Sequence, residues 1–283
     1  MVCQVLFKSR VAILSLLTGA GMVASSAFCD VQAGPVEARY QITVAGLSIG
    51  TAQFNGQVST QSYRATLNAQ LTGLAGALTS GRGAVNVSGL FQGQRPLSNG
   101  YALSANNSQI NRTIQIAMAG GNITQVAIEP PFEPKPDRVP VLEHHRRGVM
   151  DPVSALMMPV AGNGDMLSAE NCNRSIPVFD GVQRFTVELS HADTKVINEP
   201  KRGYVGHALV CNARYVPVAG HRPLPATTYM ENNREMTVWL VPVEGARVLV
   251  PYRIQVKTQL GNVVIEAQSI RGLASDATAS IRR

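Results

Sequence analysis

The sequence predicts a mainly β protein of about ten to twelve antiparallel strands linked mostly as hairpins. Alternation of apolar and polar residues with period two recurs along most of the chain, turn-forming glycines punctuate it, and amphipathic helical spacing is scarce. The clearest run puts Tyr63, Ala65, Leu67, Ala69 and Leu71 on one face and Arg64, Thr66, Asn68 and Gln70 on the other. A strand with one wet face reads this way because successive side chains point to opposite sides.

The first 33 residues read as a cleavable export signal. Lys8 and Arg10 supply a positive start, and Val11 to Ala24 is apolar or small and uncharged, long enough for a signal core and too short for a permanent span. Cleavage after Ala27 or after Ala33 fits the small-x-small pattern. The later site leaves only Cys172 and Cys211 of the four cysteines, whereas the earlier one leaves Cys29 unpaired. Cys29 as a lipidated terminus is a third reading, weakened by Phe28 where a small residue is needed. Residues 34–283 are then expected to form one β-rich domain outside the cytoplasm, with Cys172 and Cys211 joined by a structural disulfide.

Strands are expected at Tyr40-Ile42-Val44, at the Tyr63 run, at Ile114-Ile116-Met118, at Phe185-Val187-Leu189, at Met236-Val238-Leu240 and from Val248 to Val256. Gly120-Gly121-Asn122 and Gly261-Asn262 sit between alternating segments as hairpin turns do. Between two strand runs, Gly73 to Gly81 presents Leu74 and Leu78 among small residues, either as a plug for the core or as an apolar lid. Glu129 to Pro136 has four prolines that cannot donate to a ladder, so a connection over 129–140 divides the strands into two groups. Asp151 to Pro159 reads as a short capping helix, with Asp151 as N-cap, Pro152 at the first helical position, and Val153, Leu156 and Met157 on one face.

Composition narrows the function. The chain carries 25 basic and 18 acidic residues, and removal of Lys8, Arg10 and Asp30 with the leader leaves 23 against 17, near +6. That balance suits anionic envelope components, but the basic residues are scattered, with His144-His145-Arg146-Arg147 the dense group. Nucleic-acid binding is not expected, because aromatics for stacking are 5% of residues and no basic stripe accompanies them. No second apolar run is long enough for a transmembrane helix.

No catalytic constellation stands out. Asp151, Ser154, His144 and His145 are the residue types of a hydrolase triad, but Ser154 lies in Val-Ser-Ala instead of a Gly-x-Ser-x-Gly elbow, and an Asp151 cap bonded by Ser154 accounts for both. Adjacent histidines face opposite ways in an extended chain and lack a third ligand at metal-site spacing, so neither metal nor cofactor is expected. Cys211 as a nucleophile with His207 or His221 has no flanking signature. Arg184 opposes Phe185 across its strand and reads as solvated or paired with a carboxylate.

The series Asp151-Pro152-Val153-Ser154-Ala155-Leu156, Phe179-Asp180-Gly181, Arg184-Phe185, Tyr204 and Gly206 before Cys211, Val238-Trp239-Leu240, Val250-Pro251-Tyr252 and Gly261 resembles the exported bacterial family of domain of unknown function 3108. The resemblance implies a periplasmic protein of Gram-negative bacteria. It implies a single strongly curved antiparallel sheet, a half-barrel or open barrel, with one or two short capping helices. It implies no assigned activity. A more distant likeness is to the lipoprotein carriers of outer-membrane localisation. It suggests a concavity that takes a lipid or lipoprotein acyl chain, with Leu74, Leu78, Leu156, Met157 and Trp239 as candidate contacts. The alternative is a scaffold whose concavity is filled by residues such as Tyr40, Leu67, Ile116, Phe185 and Trp239 and which engages an envelope protein partner instead.

Overall fold

The computed structural model describes residues 34–72, 80–107 and 111–274, so the leader expected over 1–33 and the loop leucines Leu74 and Leu78 lie outside the described residues. The first strand group is an uninterrupted meander: β1 (Gly34–Val44), β2 (Leu47–Val58), β3 (Ser62–Leu71), β4 (Gly81–Gln92), β5 (Arg95–Asn107), β6 (Asn111–Ala119) and β7 (Asn122–Glu129). After the connection come a two-residue strand β8 (Met158–Pro159), then β9 (Arg174–Phe179), β10 (Arg184–Glu199), β11 (Tyr204–Ala219), the helix α1 (Pro225–Asn232), β12 (Met236–Pro242), β13 (Val248–Thr258) and β14 (Gly261–Arg271). They form one antiparallel sheet in the order β7-β6-β5-β4-β3-β2-β1-β14-β13-β12-β11-β10-β9, with β8 added on β13. The expected strand class is correct and the expected number is low: fourteen strands occur among the described residues. Strands such as β4 and β5 carry Gly, Ser and Asn at many positions, which weakens the local signal, and are held by ladders on both sides.

The sheet curls on itself without closing. One core gathers Phe54, Tyr63, Tyr101 and Ile116 from the first group with Ala208, Val241, Val250 and Tyr252 from the second, so both groups turn the same face inward. The tip of the β9–β10 hairpin reaches across to β6, where a Cβ on Gly181 would lie 2.6 Å from Ile114 Cγ2. Strands β7 and β9 are the two ends of the order and do not pair, which leaves the barrel open.

The connection bridges the two groups. Val139 N–H donates to His221 O at 2.9 Å and Gly220 N–H to Val139 O at 2.8 Å, fixing its start beside the end of β11. Val149 N–H then donates to Gly121 O at 2.8 Å in the β6–β7 turn, while Met150 exchanges bonds with Pro177 and Phe179 of β9 at 3.0 and 2.9 Å. The short helix expected over Asp151–Pro159 is a single 3-10 turn, Ser154–Leu156. It ends there because Met157 is extended and Met158 and Pro159 pair with Leu249 and Val248 of β13. The capping helix proper is α1, which starts with Pro225 in its first turn.

Strands β9 to β13 bury apolar side chains on both faces. Opposite the shared core, Leu209, Leu240, Leu249 and Val178 form a second cluster around Cys172 and Cys211. These cysteines make the expected disulfide, with Cα atoms 5.5 Å apart and a sequence separation of 39, and both are fully buried. The bond ties the 3-10 turn Ala169–Cys172 to β11.

Candidate functional site

Two features stand out from the apolar framework. The first is a buried polar cluster at the 3-10 turn. Asp151, Ser154 and Ser98 are each 0% exposed. Asp151 Oδ1 accepts from Val153 N–H at 3.0 Å and Ser154 N–H at 2.8 Å, and Oδ2 accepts from the Ser154 hydroxyl. Tyr63 OH donates to Ser154 Oγ at 2.8 Å, and the Ser98 hydroxyl, buried beside them, donates to Gly100 O at 3.5 Å. Burial pushes the Asp151 carboxyl above the usual range although these hydrogen bonds oppose the shift. His144 and His145 are not part of this cluster. They sit on the 3-10 turn Glu143–Arg146, which has no buried residue, and His145 Nδ1 accepts from Leu142 N–H at 3.1 Å. A carboxyl sealed from solvent and engaged by its own turn is a pin between the connection and the first strand group.

The second feature is a hollow of about 310 Å3 on the face of β9–β13 that turns away from the shared core. Its floor is Val187 and Phe185 of β10, Ala213 of β11, Val238 of β12 and Ile254 of β13. These five are only half-buried, so apolar surface faces an unfilled space. Leu156 and Met158 wall one side, and Met230 of α1 walls another. Its polar margin is engaged elsewhere: Tyr215 OH donates to Gln183 Oε1 at 3.4 Å, and Gln255 Oε1 accepts from Arg253 at 3.1 Å. The volume is at the small end of the ~300–1,000 Å3 usual for ligand cavities. A larger hollow, about 480 Å3, lies over the outer face of β3–β6 and is lined by outward polar residues such as Arg64, Asn86, Ser88 and Gln115.

The sequence-predicted residues scatter around this geometry. Leu156 borders the hollow. Met157, one residue on, faces the other way and is 1% exposed in the shared core. Trp239 also lies on the core face, with Arg253 5.6 Å from its ring centroid, because its neighbours Val238 and Leu240 take the hollow side. Tyr40, Leu67, Ile116 and Trp239 pack on the shared core, so the concavity of the sheet is filled by the protein's own side chains. Phe185, expected among them, lies on the hollow instead. Arg184 donates to Thr186 Oγ1 at 3.0 Å and to Phe185 O, with no carboxylate partner among the described residues. Sequence reasoning passed over Met230, and the one signal for its helix is Pro225.

Among the described residues no three His, Cys, Asp or Glu side chains are grouped to hold a metal ion, and no helix is long and apolar enough to cross a membrane. The fold and hollow together define an open, curled antiparallel sheet with a filled interior and a lateral apolar chamber under a short helix. The family model of the protein of unknown function DUF3108 matches residues 39–268, and the chain belongs to that family. Among solved structures it is similar to a β-barrel-like protein of domain of unknown function DUF1849 from Brucella abortus, at 8% identity and a TM-score of 0.49, over 85% of this chain and 98% of that one. No functionally curated protein matches.

Proposed function

We propose that this is a non-enzymatic protein of the Gram-negative periplasm that supports the cell envelope by holding an apolar chain, of a lipid or a lipoprotein, in the hollow beneath α1. The observation that carries the reading is the half-buried apolar floor of Phe185, Val187, Ala213, Val238 and Ile254 around about 310 Å3 of space. Leaving such surface against water is unfavourable by about 25 cal/mol per Å2, and each methylene it covers contributes about 0.8 kcal/mol. The site is therefore moved from the concavity, where the sequence suggested it, to the opposite face. The leader features of residues 1–33 and the disulfide support an oxidising compartment.

Native mass spectrometry of the protein purified from a bacterial periplasm, with organic extraction, tests this. Added masses that extract as lipid, and that vanish in Ala213→Phe, would support it. A clean mass that stays clean after incubation with 1-decanol and envelope phospholipid vesicles would reject it. A second reading is favoured by the filled interior and by the edge of β10 beyond Leu189, where β9 has ended and Val196 is 70% exposed. It makes the protein an interaction module that adds a strand from an envelope partner, and cross-linking from Val196→Cys would recover that partner.

A further inference from the structure

Beside the apolar hollow lies a second chamber of about 180 Å3, and the two share a wall: Ala155, Met158 and Ile176 line both. Three methionines, Met150, Met157 and Met158, form its apolar side. Its polar side is made by Arg174 and Arg95 with Asn173 and Ser175. Arg174 is held in place by protein carbonyls, Nε donating to Asn171 O at 2.9 Å and Nη1 to Gln94 O at 3.2 Å. Its third nitrogen, Nη2, is buried and has no hydrogen-bond partner. No carboxylate among the described residues forms an ion pair with Arg174 or Arg95.

A half-buried guanidinium without a counter-charge is unfavourable, and an idle buried donor on it adds to that cost. Burial accordingly pulls the Arg174 pKa down, although a guanidinium stays charged at any physiological pH. Its two bonded nitrogens fix the plane of the fork, so a small rotation of the side chain is enough to turn Nη2 from its packed position toward the chamber. An oxygen of a carboxylate or phosphate is the natural partner for such a group. A chain ending at the shared wall would place its head beside it.

We propose that the ligand is an anionic single-chain amphiphile. Resting on the reading of the hollow as a chain site, its tail lies beneath α1, and its carboxylate or phosphate head lies in the adjoining chamber against Arg174, with Arg95 at the margin. The disulfide then has a second use, since Cys172 stands two residues before Arg174 and anchors the segment that carries it.

The test compares decanoic acid, decyl phosphate, 1-decanol and inorganic phosphate by titration calorimetry on the delipidated, oxidised protein. Decanoate or decyl phosphate should bind at least about tenfold more tightly than decanol, the effect expected of one charge-assisted hydrogen bond to a buried group. Arg174→Gln should bring the three to parity with decanol affinity unchanged, and Arg174→Lys should restore part of the preference. Equal affinity of acid and alcohol for the unmodified protein would overturn the proposal and leave the chain-binding reading intact. Inorganic phosphate binding as tightly as decyl phosphate would overturn it in favour of a simple anion site. Binding of none of the four would remove both readings.

Discussion

Replacing Asp151 by Ala should be among the most damaging single changes to this fold. The carboxyl serves three donors, the Val153 and Ser154 amides and the Ser154 hydroxyl, in a place with no solvent. An orphaned buried donor costs about 1–3 kcal/mol. Even if the Ser154 hydroxyl rotates to another acceptor, the two amides keep the loss at about 4 kcal/mol. Asp151→Asn retains an acceptor for those amides, so it should cost less than half as much. It also exposes a pH dependence. Because burial raises the folded pKa above its unfolded value of ~3.9, the native state keeps its proton to higher pH than the unfolded chain does. The stabilising contribution is full below the unfolded value and is lost as pH rises through the folded one. Urea denaturation followed by far-ultraviolet circular dichroism between pH 4 and 8 would check this. The advantage of the wild type over Asp151→Asn should be largest in acid and shrink toward neutrality. Parallel pH profiles for the two proteins, or Asp151→Ala within about 1 kcal/mol of wild type, would refute the account of this cluster.

Removing the disulfide by Cys172→Ala with Cys211→Ala releases a loop of 39 residues in the unfolded chain, about 4 kcal/mol by loop entropy. The Tm should fall by about 10 °C, and calorimetry showing equal Tm for oxidised and reduced protein would contradict this. Tyr63→Phe removes one bond to Ser154 Oγ and should cost about 1 kcal/mol in the same urea assay. Gly220→Ala puts a Cβ 2.0 Å from Val182 O at a φ of +77°, so it should lower stability by more than about 2 kcal/mol and free the Val139 anchor, read as faster amide exchange at Val139 and Gly220.

The first strand group was legible because its strands are wet on one face, and period two then names both the strand and its buried side, as Tyr63 and Ala65 against Arg64 illustrate. The second group was legible as strands but not as faces. Val238, Trp239 and Leu240 are consecutive apolar residues because β12 is covered on both sides, so alternation cannot assign Trp239 to the core and Val238 to the hollow. That is why Phe185 was expected in the concavity although it lies on the hollow, while Trp239 does lie on the concave face. The helix α1 has Thr227, Thr228 and Asn232 in eight residues, a weak helix composition that depends on tertiary support. Arg174 left no sequence signal, since its importance lies in a nitrogen without a partner, which is a property of the packed neighbourhood alone.

The seam between β1 and β14 sets the order in which this chain can become a protein. Every other neighbour in the main order is a sequence neighbour, yet Ile42 meets Ile265 and Val44 meets Val263 across more than two hundred residues. Hairpins within each meander can zip locally, while the join waits for the final strand, a high-contact-order step that slows folding more than it weakens the product. The two ends of the seam already touch, since a Cβ on Gly272 would sit 2.1 Å from Pro35 O. A circular permutant that links those ends and opens the chain within the Pro-rich connection would convert its longest-range pairing into one more hairpin. Such a permutant should refold faster than the natural order while keeping the same hollow.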